Sequence, residues 1–209
     1  SWKWWMVFYQ SRFFVRRDKN TLEIPVIQTE RLKLRGFLPG DIEPFAAMCA
    51  DPEVIRYASF AGRPLSLEES RSWVSRMQAH WQERNFGMWA VVDRQSGRFL
   101  GRIGLQQPEG YPGVEIAWML ARNYWGQGFA YEGCMAAIEW GFSYLDQQFL
   151  ISLIFPENQR SIRLAERLGE SLIGSIQIQG KHLLQYRISR KDWAALGQRS
   201  TPNERYQKN

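Results

Sequence analysis

A glycine-punctuated turn between an apolar strand pattern and a helix pattern is the part of this sequence best suited to chemistry. Gly126 and Gly128 separate the strand pattern at 113–120 from the helix pattern at 129–145. Glycine permits backbone angles and close approaches that a Cβ would block, so consecutive N–H groups can point at an anion on the positive end of the helix. The turn predicts a polyphosphate site. Short glycine turns also precede helices for geometric reasons alone. The neighbouring residues must therefore decide whether this turn binds phosphate.

The segments around this turn alternate between strand and helix patterns. Strands are predicted at 29–35, 88–92, 99–105, 113–120, 149–155, 171–179 and 181–189. Helices are predicted at 42–49, 52–57, 67–84, 129–145 and 157–168. Asp41 is the expected N-cap of the first helix, and Ser66 with Glu69 forms a capping box for the third. This order predicts an α/β (α+β) chain whose mixed sheet has helices on both sides.

Composition indicates one compact domain with short tails. The chain has 209 residues, of which 44% are hydrophobic and 23% are charged. We predict an aromatic and basic extension at 1–22, a domain at 23–192 and a polar tail at 193–209. The net charge of +6 arises at the ends, because 1–20 carries five Lys or Arg against one acid and 190–209 carries five against two. The nearly neutral centre argues against a nucleic-acid partner on charge grounds.

Neither a metal site nor a disulfide is expected. Cys49 and Cys134 lie within apolar helix patterns, as buried thiols of a reducing compartment do. His80 and His182 have no partners at metal-ligand spacing. No apolar run approaches the roughly 18 residues that span a bilayer. We therefore expect a cytoplasmic protein with no membrane partner.

The aromatic segment at 1–20 contains three tryptophans and is too apolar for a disordered leader. Exposed aromatic clusters rarely stay exposed, so the segment predicts either an added element packed on the core or an interface with another subunit. A monomer and a homodimer both remain open.

Six motifs together resemble one enzyme superfamily. They are TERLKLR at 29–35, DPEVIRY at 51–57, GRIG at 101–104, VEIAW at 114–118, YWGQGFA at 124–130, and Asn158 with Ser161 ahead of RLG at 167–169. The chain from 24 to 189 resembles the GNAT-superfamily N-acetyltransferases, in the branch of the bacterial ribosomal-protein N-terminal (alanine) acetyltransferases. The resemblance implies a mostly antiparallel sheet of about seven strands and a splayed parallel strand pair that binds acetyl-CoA.

The resemblance also implies where acetyl-CoA lies. The family's pyrophosphate loop, written Q/R-x-x-G-x-G/A, falls on six residues here: Trp125, Gly126, Gln127, Gly128, Phe129 and Ala130. Trp125 replaces the usual Gln or Arg, and little loss is expected because backbone N–H groups hold the phosphates. The pantetheine arm is expected to pair with backbone beside Trp118, Met119 and Leu120. Asn158 is expected to contact the same arm.

Acetyl transfer to an amine requires a proton acceptor and a stabilised thiolate. An ammonium of pKa about 8–10 must lose a proton before the nitrogen attacks the thioester. Glu115 is the first candidate for this base, with a structural or substrate-binding role as an equal alternative. Ser161 is the candidate donor to the thiolate, since the family's usual tyrosine is absent near Ala165 and Glu166. Water is the alternative acid.

The sequence says least about the amine that accepts the acetyl group. Trp89 and Trp118 are candidates for lining an acceptor pocket, and a core position is the alternative for both. The first choice of function is acetylation of an N-terminal α-amine of a protein or peptide. The alternatives are acetylation of a small amine, such as a polyamine, an amino sugar or an antibiotic, and a non-catalytic acyl-CoA-binding module.

Overall fold

The computed structural model describes residues 23–199. Its strands are β1 (Ile27–Gln28), β2 (Leu32–Arg35), β3 (Met88–Asp93), β4 (Phe99–Gln106), β5 (Glu115–Leu120), β6 (Phe149–Ile154), β7 (Ser171–Ile178) and β8 (Lys181–Ser189). Its α-helices are α1 (Ile42–Cys49), α2 (Pro52–Ile55), α3 (Leu67–Arg84), α4 (Phe129–Tyr144), α5 (Gln159–Arg167) and α6 (Arg190–Arg199). The predicted elements thus occur within a few residues of their expected positions.

The strands form one mixed sheet in the order β1-β2-β3-β4-β5-β6-β8-β7. Every neighbouring pair of this sheet is antiparallel except β5 and β6. The predicted fold class is therefore confirmed, with eight strands in place of about seven. The additional strand is β1, whose two residues pair with β2 and are too few to produce a recognisable alternation.

The parallel pair is splayed. Its strands are in register at one position, where Glu115 lies opposite Ile151, and they diverge toward their C-terminal ends. Side chains span the resulting gap. Glu115 Oε1 accepts a hydrogen bond from the Leu153 N–H at 3.1 Å, and Ser152 Oγ lies 3.1 Å from the Ile116 carbonyl oxygen. The gap expected from the family resemblance is thus present between β5 and β6.

Alternating side chains along the strands build two separate cores. On one face, α4 packs on residues such as Leu34, Ile103 and Ile116. On the other face, α1, α2 and α3 pack on residues such as Ala90 and Met119. Because successive β5 residues face opposite helix layers, the gap beside β5 connects the two sides of the sheet.

Two helix starts test the capping predictions. Ser66 and Glu69 form the predicted capping box of α3, with each side chain accepting from the other's backbone N–H. Asp41 occupies the N-cap position of α1 as predicted, but its side chain makes no capping hydrogen bond to that helix. Its carboxylate instead accepts the Leu38 N–H at 2.7 Å and pairs with Arg35 at 2.6 Å, which stabilises a short 3-10 turn ahead of α1.

The C-terminal helix α6 crosses the boundary predicted at 192. Trp193, assigned by sequence to a polar tail, is buried against Phe142, and its indole N–H donates to Glu139 at 2.6 Å. The extension at 1–22 and the interface suggested for it lie outside the described residues. Within 23–199, no helix is long and apolar enough to cross a membrane.

Candidate active site

A cavity of about 1200 Å³ opens at the splay and reaches both sides of the sheet. Its α3 side is lined by Trp73, Arg102, Gln106, Tyr111 and Glu115 among others. Its α4 side is lined by Trp118, Leu120, Trp125, Gly126, Gly128, Phe129, Ala130, Asn158 and Ser161 among others. The splay thus brings most of the residues predicted for catalysis and cofactor binding to one cavity. Met119 lines it too.

Glu115 is a buried carboxyl group on the cavity wall, only 6% exposed. Burial raises its pKa from the ordinary 4.5 to about 7, although hydrogen bonds from Gln106 and Leu153 and the charge of Arg102 oppose the shift. Gln106 Nε2 donates to Oε2 at 2.6 Å, and the Leu153 N–H donates to Oε1. A carboxyl group with this pKa is near half ionisation at neutral pH and can accept a proton there.

The glycine turn has the geometry of an anion site. Gly126 and Gly128 have φ values of +72° and +81°, which favour glycine. Within the described residues, the backbone N–H groups of 126–130 donate to no protein acceptor, and no side chain caps α4. Unpaired N–H groups at a helix start carry partial positive charge, so an anion would be stabilised there.

Arginines surround this turn, and sequence reasoning did not assign them a role. Arg160 on α5 stacks over Trp125 at 3.4 Å from the ring centroid, and Arg163 and Arg167 on the same helix also line the cavity. Their spacing of three and four residues places them on one face of α5. That spacing is a sequence signal for a cationic helix face beside the turn.

Two predicted contact residues lie at the start of α5. Asn158 is the N-cap, and its side-chain oxygen accepts the Ser161 N–H at 3.3 Å. The indole N–H of Trp118 donates to Ser161 Oγ at 3.3 Å. The Ser161 hydroxyl proton has no acceptor in the described part of the chain, so it remains available to a group in the cavity.

Two other predicted positions differ from expectation. Gln127 does not line the cavity, because its side chain donates to the Asn123 carbonyl at 2.7 Å and Arg31 binds its carbonyl. Trp89 does not line it either, so an acceptor-pocket role was wrong. Trp89 is fully buried between Trp81 and Trp140, with ring centroids 5.0 and 5.2 Å away.

A second buried carboxyl group, Glu170, lies on the α4 side of the sheet. Burial raises its pKa to about 8, so it is largely protonated at neutral pH. Its Oε1 lies 3.0 Å from Ser152 Oγ, which is also 3.1 Å from the Ile116 carbonyl. Since the one serine proton cannot serve both oxygens, protonated Glu170 can donate to Ser152, and Ser152 to Ile116. This chain of hydrogen bonds ties the splayed strands together.

The described residues contain no group of three or more His, Cys, Asp or Glu side chains arranged to hold a metal ion. Cys49 and Cys134 are buried free thiols, and burial raises the pKa of both. Both thiols are therefore neutral at physiological pH.

Comparisons with known proteins agree with this geometry. Residues 31–170 match the family model described as the acetyltransferase (GNAT) domain. The uncharacterized protein YkkB of Bacillus subtilis (strain 168) is 32% identical over 163 residues, which cover 76% of this chain and 92% of that protein.

Solved structures share the fold. An acetyltransferase from Agrobacterium tumefaciens str. C58 has a TM-score of 0.72 at 27% identity, over 84% of this chain and all of that one. RimL, a ribosomal L7/L12 α-N-protein acetyltransferase in complex with coenzyme A, has a TM-score of 0.67 at 16% identity, over 79% of this chain and 98% of that one. At 16% identity, the likeness to RimL concerns the fold alone. On the family match and the shared fold together, this chain belongs to the GNAT family of N-acetyltransferases.

Proposed function

We propose that this chain transfers the acetyl group of acetyl-CoA to a primary amine, with the α-amine of a protein or peptide N-terminus as the first acceptor to test. The observation that carries the proposal is Glu115, a buried carboxyl group of pKa about 7. It shares a cavity with Gly126, Gly128, Phe129 and Ala130, whose backbone N–H groups are unpaired.

The residues around the turn fit acetyl-CoA. The pyrophosphate would meet the N–H groups of 126–130 and the arginines of α5, which supply partial and full positive charge. The pantetheine arm would lie in the gap beside Trp118 and Leu120, near Asn158. When bound, acetyl-CoA supplies a thioester that an amine can attack.

Two side chains of the protein would then act on protons during the reaction, Glu115 as an acceptor and Ser161 as a hydrogen-bond donor. Glu115 takes the proton that the ammonium group loses before attack; the neutral nitrogen then forms the N–C bond as the C–S bond breaks, and its second proton passes to the departing thiolate or to solvent. Its raised pKa makes it a stronger base than an ordinary glutamate, while it is still substantially ionised at pH 7. The free Ser161 hydroxyl proton would stabilise the developing thiolate, in place of the family's absent tyrosine.

The cavity suggests two kinds of acceptor. Its volume of about 1200 Å³ exceeds the range of about 300–1,000 Å³ typical of a site for one small molecule, which supports a site for acetyl-CoA together with an extended acceptor such as a peptide. The buried charges of Arg102 and Glu115 on the α3 side favour the second candidate, a small amine enclosed at that end.

A thiol-release assay with a panel of amines tests this function. The purified chain is given acetyl-CoA with peptides, amino acids, amino sugars or polyamines, and acetylated product is identified by mass spectrometry. Acetylation of at least one primary amine class is expected. Binding of acetyl-CoA with no product from any amine would favour a non-catalytic acyl-CoA-binding protein.

Gly126→Ala is expected to weaken acetyl-CoA binding by about 10-fold or more. A Cβ at Gly126 meets no protein atom within 4 Å, so the methyl group would enter the space that the phosphates need. Gly97→Ala is the control, because Gly97 has a nearly identical φ of +71°, an equally open environment and no place in this cavity. Titration calorimetry measures both. Equal affinities of the two folded variants would remove the turn from the cofactor site.

Ser161→Ala is expected to slow acetyl transfer by about 10-fold while leaving acetyl-CoA affinity nearly unchanged. A donor that acts on charge formed during reaction stabilises the transition state more than the ground state. Single-turnover measurement at saturating cofactor isolates this step. Ser161→Thr keeps the hydroxyl and should retain more activity. If the alanine variant reacts as fast as the parent, solvent is the acid.

A further inference from the structure

Arg102 is a buried cation without a counter-ion in the described part of the chain. The residue lies on β4, is 4% exposed, and neither Nε nor Nη1 makes a hydrogen bond. Burial lowers the pKa of the guanidinium, but its ordinary value is so high that it stays charged at neutral pH. An unpaired buried charge is costly, so this arrangement requires an explanation.

The groups that face Arg102 leave its charge unpaired. The Trp73 ring on α3 lies 4.8 Å from the guanidinium carbon, and the Cys49 thiol on α1 is neutral with a pKa of about 11. Burial raises the pKa of Tyr111, so its phenol is neutral too. Glu115 is near enough to interact, but its oxygens bind Gln106 and Leu153, and it forms no ion pair with Arg102.

Arg102 and Glu115 share one wall of the cavity. Gln106 pairs with Glu115 across β4 and β5, and Arg102 lies four residues before Gln106 on the same face of β4. Four strand residues correspond to about 13 Å between Cα atoms. The long arginine side chain can cover part of that distance, so a small or extended molecule can contact both groups.

We propose that the acceptor amine carries a carboxylate, which pairs with Arg102 while the amino group meets Glu115. The inference rests on the function proposed above and specifies its substrate class. A carboxylate accepts charge-assisted hydrogen bonds from a guanidinium, and the Nε and Nη1 donors of Arg102 both lack an acceptor here. Free amino acids and peptides with an acidic residue near the N-terminus both have this chemistry. A polyamine would instead bring positive charge toward an unpaired cation.

Matched acceptor pairs test the inference in the unmodified chain. One arm compares α- and ω-amino acids with their amides, and the other compares peptides that begin with Asp or Glu with peptides that begin with Asn or Gln. In at least one arm, kcat/KM is expected to be about 10-fold or more higher for the carboxylate, since hydrogen bonds to charged groups are the stronger kind. The arm that shows this preference identifies the source of the carboxylate.

Arg102→Met then assigns the preference to this residue. The variant should lose most of the discrimination between acid and amide, while Arg102→Lys should retain part of it. Because the substitution removes an unpaired buried charge, the thermal stability of Arg102→Met without ligand should be equal to or higher than that of the parent. Arg76→Met is the control, because Arg76 is an exposed arginine on the same cavity and its loss should leave the ratio unchanged.

The outcomes separate the inference from the proposed function. If no primary amine is acetylated, the proposed function fails. If amides or polyamines are acetylated as well as carboxylates, the function stands and the inference is overturned. If Arg76→Met loses the preference for a carboxylate as fully as Arg102→Met does, the preference arises from the general potential of the cavity and the inference is overturned. If Arg102→Met keeps the parent's ratio of kcat/KM for acid over amide, the inference is also overturned. If Arg102→Met fails to fold, the inference is decided by the ratio of kcat/KM for acid over amide in Arg102→Lys and in the parent.

Discussion

Glu115→Gln is expected to lower turnover by about 10²-fold or more, the usual scale for loss of a general base. Glutamine has nearly the same shape and can still accept the Leu153 N–H, so the loss should reflect the missing proton acceptor. The parent rate should rise with pH through about 7, because the ionised fraction of Glu115 grows across that range. The variant should lose this rise. Rates at saturating acetyl-CoA between pH 5 and 9 measure both effects.

Glu170→Gln is the matched control for the pH profile. Glu170 is also a buried carboxyl group, with a pKa of about 8, but its Oε1 binds Ser152 on the α4 side of the sheet and it does not line the cavity. The variant should keep a rise in rate through pH 7. If Glu115→Gln turns over at the parent rate with the same alkaline rise, Glu115 is a structural residue and the amine loses its proton to water.

Trp89→Ala is expected to lower the free energy of unfolding by about 3–5 kcal/mol, the range for removing a fully buried large aromatic side chain. Trp89 packs edge-on against Trp81 and Trp140, and its indole N–H donates to the Pro25 carbonyl at 2.8 Å. The substitution leaves a cavity and an unpaired acceptor. Urea denaturation measures the loss.

Tyr144→Ala is the control within the same aromatic group. Tyr144 stacks on Trp140 at 5.3 Å but is 49% exposed, so its removal should cost about 1 kcal/mol, as stacked aromatic pairs do. If Trp89→Ala were no less stable than Tyr144→Ala, the core position of Trp89 would be contradicted.

Local sequence signals predicted most elements of the fold. The capping box at Ser66 depends on hydrogen bonds within one turn, and the glycine turn depends on the φ values of two residues. Both are short-range, so pattern alone identifies them. The α/β class with a mixed sheet followed from the order of the elements, whereas the splayed strand pair followed from the family resemblance, and the family itself is confirmed. Helix α6 was missed, because its apolar run at 193–196 is short and the burial of Trp193 depends on the distant Phe142.

The sequence by itself therefore determined the order of elements, the glycine turn and the family. Only the tertiary structure decided the environment of each side chain. Burial distinguishes Trp89, in the core, from Trp118, on the cavity, although both are strand tryptophans. Burial also raises the pKa of Glu115 and leaves Arg102 unpaired. Solvation and charge pairing depend on atoms that the fold brings together from remote parts of the chain. The local spacing of residues in the sequence therefore cannot predict them.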